Sequence, residues 1–342
     1  MATLLLISKS KFMENVIHYL GADLSKDVID FVSFYTKAHL QIENTRDGFK
    51  QLLKWLKQQK IVVSSMMIVM EHTGFYSHCL EEFLHQQGIS FCKVNALEIK
   101  RSMGITRGKS DKIDAARIAS YAFAKKDTLT PQAKPSEALQ RLKMLVTSRE
   151  LLVKHRASLK CAIKEFQNIG MSKNDLVLQS QLKVVKAMGE QIDRLEKEIE
   201  HCIQQDPVLV KNYSLLTSIK GVGPVVATTT LIVTQNFTRF ATGRKFACFC
   251  GTAPFEHTSG SSIRGKTRVS PLADKRMKSL LDRAACSAIT CDPELKAFFE
   301  RRTAMGKIKK STINIVRNKI IHRMFAVIKR QTQYTIEYSR AA

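Results

Sequence analysis

The chain has 342 residues, 44% of them hydrophobic, and it carries 55 Lys and Arg against 30 Asp and Glu, a formal net charge of +25. This composition indicates a globular protein long enough for two or three domains with hydrophobic cores. The basic excess favours a polyanionic partner, nucleic acid before membrane. No apolar stretch approaches transmembrane length, so we expect no membrane partner.

The positive charge is unevenly distributed. Residues 1–130 hold 18 basic and 13 acidic side chains, whereas residues 131–342 hold 37 and 17. The first part therefore keeps its acids in an otherwise basic protein, as a metal site inside a nucleic-acid enzyme requires. The eight cysteines form no C-x-x-C pair and show no zinc spacing. They predict buried or free thiols in a reducing cytoplasm.

The first part of the chain predicts strands that alternate with helices. The predicted strands are Val16–Asp23, Val28–Phe34, His39–Ile42, Val62–Met70 and Ile89–Val94, and helices are predicted from Asp47, Phe75 and Asp111. This order indicates an α/β domain. Active groups gather at strand ends in such sheets, which singles out Asp23 and Glu71.

Two acids open the last of these helices. Asp111 and Asp114 are three residues apart in Lys109-Ser110-Asp111-Lys112-Ile113-Asp114-Ala115, which places both carboxylates on one helix face after a Ser110 N-cap. Neighbouring carboxylates repel, and a divalent metal is the usual counterion when the partner is a phosphate backbone. The alternative is a capped surface helix whose acids face water.

These acids carry a family resemblance. The acids follow the order D-E-D-D, which is the ribonuclease H-like pattern in its RuvC-like order. They are Asp23 on the first strand, Glu71 at the end of the fourth strand, and the pair Asp111 and Asp114 on the helix. Gly21-Ala22-Asp23-Leu24-Ser25-Lys26, Met70-Glu71-His72-Thr73-Gly74 and the Asp111 segment resemble the DEDD transposases of the "one-ten" insertion-sequence family. The resemblance implies that the four acids are catalytic and bind Mg²⁺, with Mn²⁺ as a substitute.

The rest of the chain predicts mainly helices. Leu139 to Ile203 shows helical periodicity interrupted at Gly170–Asn174, either a coiled-coil protrusion or a helix pair packed on its own domain. Further on, Lys220-Gly221-Val222-Gly223 resembles a helix–hairpin–helix element that binds phosphates through backbone N–H groups, against the alternative of an ordinary helix turn.

A serine-containing segment follows. Gly251-Thr252-Ala253-Pro254 is followed by Ser259, Ser261 and Ser262 and then by Arg264, Lys266 and Arg268. We predict that these three basic residues bind nucleic acid. From the residues alone, a flexible surface loop is the competing interpretation. In the family resembled, a serine after a Gly-x-x-Pro stretch is the nucleophile. Ser259 matches it, and Ser261 and Ser262 remain alternatives.

We therefore expect a RuvC-like, RNase H-like α/β domain at 1–130, an α-helical coiled-coil segment at 131–205, and a basic, mainly α-helical C-terminal domain at 206–342 with the helix–hairpin–helix-like element. The resemblance implies a transposase or recombinase that forms a phosphoserine–DNA link. It also implies a homo-oligomer (dimer or tetramer), with the site shared between subunits, and a structured guide RNA made by the element. Two rivals stay open: a metal-dependent junction nuclease that uses water, and a non-catalytic nucleic-acid-binding protein.

Overall fold

The computed structural model describes residues 18–72, 74, 76–104, 108, 110–134, 136–259 and 263–335. The chain divides into two compact units, Met1–Lys134 and Pro135–Ala342. The predicted boundary near residue 205 stays a prediction. No helix in the described part of the chain is long and apolar enough to cross a membrane.

The first unit is built on a mixed five-stranded sheet. Its elements are β1 (His18–Leu24), β2 (Val28–Ser33), β3 (His39–Glu43), α1 (Arg46–Gln58), β4 (Met66–Glu71), α2 (His78–Gln86), β5 (Ser90–Val94), α3 (Ala96–Ser102) and α4 (Asp111–Ala124). The strand order is β3-β2-β1-β4-β5. Neighbours among β1, β2 and β3 are antiparallel, whereas β4 and β5 run parallel to β1.

Each sheet face has its own hydrophobic core. Alternate residues of β1 point to opposite faces. Leu20, Ala22 and Leu24 join the core that includes Phe49, Leu52 and Leu56 of α1. Tyr19 belongs to the second core, with Ile118 and Tyr121 of α4. Helix α4 therefore covers the face that also bears Gly21 and Asp23.

The second unit is mainly helical. Its elements are α5 (Glu137–Asn168), α6 (Leu176–Gln204), α7 (Pro207–Thr217), α8 (Pro224–Val233), α9 (Gly243–Phe249), β6 (Pro254–Ser259), β7 (Ile263–Val269), α10 (Lys275–Cys291), α11 (Pro293–Ala304) and α12 (Lys309–Arg330). Strands β6 and β7 form a separate two-stranded antiparallel sheet. An α/β first unit and a helical second unit agree with the predicted fold class at this coarse level.

Helices α5 and α6 pair with each other, and their open ends join the core of the second unit. Leu142, Leu145 and Val146 of α5 and Cys202 and Ile203 of α6 are buried in the same cluster as α7, α8 and α10. Toward the turn, Leu151, Ile169 and Leu176 are exposed. The paired helices are therefore packed on their own unit at one end only, which combines features of both arrangements considered from the sequence.

The serine segment differs from the competing interpretation. A flexible loop was the competing interpretation there, and the structure instead has the hairpin β6–β7, with Ser259 as the last residue of β6. Helix α3 was not predicted. Both elements are short, and β6 and β7 are largely polar, so they give little hydrophobic periodicity.

Candidate active site

Helix α4 approaches strand β1 unusually closely, and Gly21 makes this possible. A Cβ atom at Gly21 would lie 2.1 Å from the backbone oxygen of Ala115 and 2.3 Å from the backbone nitrogen of Ala119. Ala115 and Ala119 follow Asp111 at intervals of four residues, so all three lie on one side of the helix. The small residues thus place the first turn of α4 against the sheet beside Asp23.

Asp23 and Glu71 lie on the same face of the sheet. In the parallel pair β1–β4, Ala22 is the partner of Met70, and Asp23 and Glu71 are the next residues of the two strands. Partnered residues of neighbouring strands point to the same side. This is the face covered by α4, whose first turn carries Asp111 and Asp114.

The electrostatic environment reflects this arrangement. The pKa of Asp23 is raised to about 6, first by burial and then by the charges of Asp114, Asp111, Glu71 and Asp30. The pKa of Glu71 is also raised, first by burial and then by Asp114. Each raised pKa means that the ionised carboxylate is disfavoured in its folded environment. The charges of the other three predicted acids therefore act on Asp23, and the charge of Asp114 acts on Glu71.

Asp114 has a cationic partner within its own helix. Arg117 Nη1 donates to Asp114 Oδ1 at 2.7 Å, and Arg117 Nη2 donates to the backbone oxygen of Gly108 at 3.0 Å. The Ser110 hydroxyl accepts from the Ile113 backbone N–H at 3.3 Å, as predicted for the N-cap. Arg117 thus offsets part of the negative charge at the start of α4.

The acid Asp30 was missed by the sequence analysis. It is the β2 partner of Asp23 and is only 2% exposed. Its carboxylate lies 2.5 Å from His39 Nε2 and accepts from Gln41 Nε2 at 3.1 Å. The sequence did contain a signal for this buried acid. Asp30 stands in the middle of the apolar strand Val28–Ser33, and the next strand carries the polar residues His39 and Gln41, with Gln41 as its strand partner.

The carboxylates suit a hard divalent cation in chemistry and charge, because such ions prefer carboxylate oxygens. Burial, and then repulsion by the neighbouring carboxylates, raises the pKa of Asp23, and a bound cation would relieve this penalty on the charged form. Among the described residues, however, no three His, Cys, Asp or Glu side chains are gathered closely enough to hold a metal ion. The chemistry of the four carboxylates therefore fits a metal ion. To bind one, their side chains must come closer to one another than they are in this structure.

The serine segment is anchored from the far end of the chain. Asn314 Nδ2 and Asn318 Nδ2, both on α12, each donate to the backbone oxygen of Thr252 at 2.8 Å. Gly251 has φ +63°, and a Cβ atom there would lie 2.3 Å from Ala273 Cβ. These contacts fix the backbone immediately before β6.

The structure gives the backbone alone for three of the predicted site residues in this hairpin. Ser259 pairs with Ile263, and Thr258 pairs with Arg264. Arg264 and Lys266 occupy alternate positions of β7, as does Arg268, whose exposed side chain is described. Ser261 and Ser262 lie outside the described residues. These three basic residues belong to a strand rather than to the flexible loop of the competing interpretation.

The predicted phosphate-binding glycines have different roles. Gly221 has φ +90°, and a Cβ atom there would lie 2.5 Å from the backbone oxygen of Ala284, so packing against α10 is enough to require glycine. Gly223 is the N-cap of α8 and has open space around it. Lys220 is exposed beside them. Of the two glycines, only Gly223 leaves room for a ligand.

Two family models match most of the chain. One, described as "Transposase" and built on the DEDD transposases of IS110, matches residues 20–167. The other, described as "Transposase IS116/IS110/IS902 family", matches residues 213–300. The chain belongs to the IS110 family of transposases. This confirms the resemblance drawn from the motifs, and it makes the protein an enzyme of DNA recombination.

Similar proteins agree with this assignment. The chain is 27% identical over 331 residues to the pilin gene-inverting protein of Moraxella lacunata, covering 92% of this chain and 97% of that protein. The protein of the same name from Moraxella bovis is 26% identical with the same coverage. The IS110 uncharacterized 43.6 kDa protein of Streptomyces coelicolor is 27% identical over 160 residues, 47% of this chain and 38% of that protein.

Proposed function

We propose that this transposase cuts and rejoins DNA with a metal site formed by Asp23, Glu71, Asp111 and Asp114 and with Ser259 as nucleophile. The observation that carries the proposal is the shared sheet face. Asp23 and Glu71 lie on the face covered by α4, whose first turn bears the other two acids. The alternative, a capped surface helix whose acids face water, does not account for the pKa of Asp23. That pKa is raised in part by acids on three separate elements, β2, β4 and α4.

The sheet supports assigning the first unit to the RNase H-like, RuvC-like class. The motifs predicted an acid on the first strand, one at the end of the fourth and two on a later helix, and these positions are in β1, β4 and α4. The order β3-β2-β1-β4-β5 places β1 and β4 next to each other. We further propose the three-domain division at residues 130 and 205. The turn between α7 and α8 is proposed as the helix–hairpin–helix-like element, with Lys220 and Gly223 nearest the phosphates.

The four carboxylates would hold Mg²⁺, or Mn²⁺ in its place. When bound, the cation would neutralise the charge that develops on the phosphate being attacked. Arg117 is placed to hold Asp114 in orientation before the metal arrives, through its 2.7 Å ion pair. Asp30, held by His39 and Gln41, adds negative charge beside Asp23 on the neighbouring strand without facing solvent.

Ser259 would attack the phosphorus of a phosphodiester. The bond from phosphorus to the serine oxygen forms, the bond from phosphorus to a deoxyribose oxygen breaks, and the serine proton ends on that leaving oxygen. The number of phosphate ester bonds is unchanged, so the broken strand can be resealed without an external energy source. Basic residues of β7, among them Arg268, would offset charge on the phosphate.

We propose DNA, both element ends and target, as the substrate and a structured guide RNA from the element as a further partner. The net charge of +25 supports polyanionic partners of this kind. A homo-oligomer, dimer or tetramer, would let the acids of one subunit serve the serine of another.

Inversion of a DNA segment is a second candidate outcome of the same chemistry. It is favoured because two relatives named as gene-inverting proteins match over 97% of their own length. Inversion and insertion differ in the product rather than in the bonds broken. Sequencing the junctions formed from a plasmid that carries the gene with its native flanks would separate them.

The deciding experiment is a covalent trapping assay on that plasmid DNA. Wild-type protein is expected to leave a labelled strand attached after denaturation. Ser259→Ala should lose this adduct and keep DNA binding, whereas Ser261→Ala and Ser262→Ala are matched controls that should retain it. Asp111→Asn should lose cleavage, and mixing it with Ser259→Ala should restore some adduct if subunits share the site.

Three outcomes would contradict the proposal. Free cut ends without any adduct in wild type would favour the water-dependent junction nuclease. An adduct that persists in Ser259→Ala would assign the nucleophile to another residue. DNA binding without cleavage in every variant would leave the non-catalytic binding protein.

A further inference from the structure

A cavity of about 750 Å³ opens beside the hairpin β6–β7. It is lined by Phe255 and Glu256 of β6, Arg268 of β7, Ser270 and Leu272 of the following segment, and Cys248 of α9. Its size is in the range of pockets that hold small organic ligands, and its lining combines apolar walls with a few polar groups. It belongs to neither the acidic cluster nor the glycine turn.

The apolar walls are open to solvent. Phe255 is 50% exposed and Leu272 is 45% exposed, although both line a concave surface. An exposed phenyl ring offers a flat face on which a planar ligand can stack, and nucleobases stack on such rings whatever their sequence. The walls therefore suit a flat aromatic ligand.

The polar groups suit a nucleotide. Arg268 is the strand partner of Phe255 and is exposed, and it makes no ion pair with any described residue. Glu256 would normally point away from its neighbour Phe255, but the register shift between Phe255 and His257 interrupts the alternation. Glu256 consequently lines the same cavity, so a cation, an acceptor and an aromatic ring converge there.

We propose that this cavity binds one unstacked nucleotide of the DNA substrate, with Phe255 stacked on its base. Arg268 binds a flanking phosphate, and Glu256 accepts a hydrogen bond from an amino or imino group of the base. The proposal rests on the proposed function, because the same strand ends at Ser259. Phe255 and Ser259 are four residues apart, about 13 Å of strand. The nucleotide should thus lie within about four positions of the phosphate attacked, at about 3.4 Å per position.

The test uses the full-length chain and a short oligothymidylate with one central 2-aminopurine, whose fluorescence falls when the base stacks on an aromatic ring. Wild-type protein should quench the fluorescence. Phe255→Leu keeps the apolar bulk without the ring, so it should lose the quenching and bind about fivefold to a hundredfold more weakly. Phe255→Tyr keeps the ring and should behave like wild type.

Arg268→Gln should retain the quenching and lower the salt dependence by about one phosphate contact. Ser259→Ala should quench like wild type, so this test and the adduct assay can fail separately. Equal quenching and affinity in wild type and Phe255→Leu, with both proteins giving the same thermal unfolding curve, would overturn the proposal. Loss of quenching in Phe255→Tyr as well would also overturn it.

Discussion

Gly21 controls the distance between helix α4 and the sheet, and therefore the position of Asp111 and Asp114. We expect Gly21→Ala to lower the free energy of unfolding of the first unit by about 1–3 kcal/mol or more. The added methyl group would meet backbone atoms of Ala115 and Ala119, which cannot rotate away. Trp55 is the single tryptophan and is buried in this unit, so its fluorescence in denaturant reports the transition directly.

Gly223→Ala is the matched control, because a Cβ atom there meets nothing within 4 Å. It should leave the Trp55 transition unchanged. If Gly21→Ala were equally harmless, the close approach of α4 to β1 would be wrong. The position of the acidic pair beside Asp23 would then lose its basis.

The raised pKa of Asp23 gives a second prediction. Its folded-state pKa is about 6 against an ordinary value of 3.8, so the folded protein binds the proton more tightly than the unfolded chain. The cost of ionising Asp23 is absent below about pH 4, grows as the pH rises and is complete above about pH 6. Asp23→Asn should therefore stabilise the first unit near neutral pH and have little effect at pH 4.

The measurement is the Trp55 unfolding midpoint of wild type and Asp23→Asn across this pH range, without divalent ions. Adding Mg²⁺ at neutral pH should stabilise wild type and not the variant. Asp127→Asn, at an exposed acid, is the control and should show neither effect. A variant that is less stable than wild type near neutral pH without metal would contradict the repulsion described at Asp23.

At this scale the sequence predicted some residues and missed others for physical reasons. Asp111 and Asp114 were predicted because helical spacing is visible in a single segment. Asp30 was missed because its partnership with Asp23, His39 and Gln41 depends on the register of three strands. Gly21 was part of a motif in the sequence. Its role, to let α4 approach β1 closely, is visible only once α4 is packed against the sheet.

The hairpin β6–β7 is the element that presents Ser259, and its base depends on α12. We expect Asn318→Ala to slow adduct formation more than it weakens DNA binding, because Thr252 loses one of its two side-chain donors. The carbonyl keeps the Asn314 donor, so the loss is that of one hydrogen bond, about 0.5–1.5 kcal/mol. Asn318→Asp should be worse, because it places a carboxylate against that carbonyl. Single-turnover adduct formation and DNA affinity, measured on the same preparations, separate the two effects.

Asn174→Ala is the control, since Asn174 is exposed in the turn between α5 and α6. It should change neither quantity. Equal losses of binding and adduct rate in Asn318→Ala would indicate general unfolding of the second unit rather than a displaced hairpin.

Element prediction succeeded where a hydrophobic stripe is long. Helices α5 and α6 and the five strands of the first sheet follow apolar periodicity closely. The hairpin escaped because β6 and β7 bear Ser, Thr, His, Arg and Lys, which also suit a loop. In addition, Thr252 just before the hairpin is held by residues more than 60 positions away. Such distant contacts leave no local pattern in the chain.

Over the whole molecule, the charge is concentrated toward the C-terminus. Residues 201–342 carry 24 basic and 8 acidic side chains. Three of those acids are already engaged within the second unit: Asp282 pairs with Arg317, and Asp292 and Glu294 pair with Arg323. The 8 acids of this region cannot neutralise its 24 basic side chains, so a net positive charge is left for an external polyanion.

The turn before α12 and the first residues of that helix offer the sharpest test of this charge argument. Lys307, Lys309 and Lys310 are exposed and form no ion pair with any described residue. If each neutralises one phosphate of duplex DNA, replacing all three by Gln should reduce the log–log salt dependence of binding by about 2.7, at about 0.9 per contact.

Lys54, Lys57 and Lys60, exposed in and just after α1, allow the same charge change in the first unit. Their replacement by Gln should leave the slope almost unchanged. Affinities measured over a range of salt concentrations for both triple variants would decide the matter, because equal changes in slope would show that overall charge, rather than the C-terminal surface, governs DNA binding.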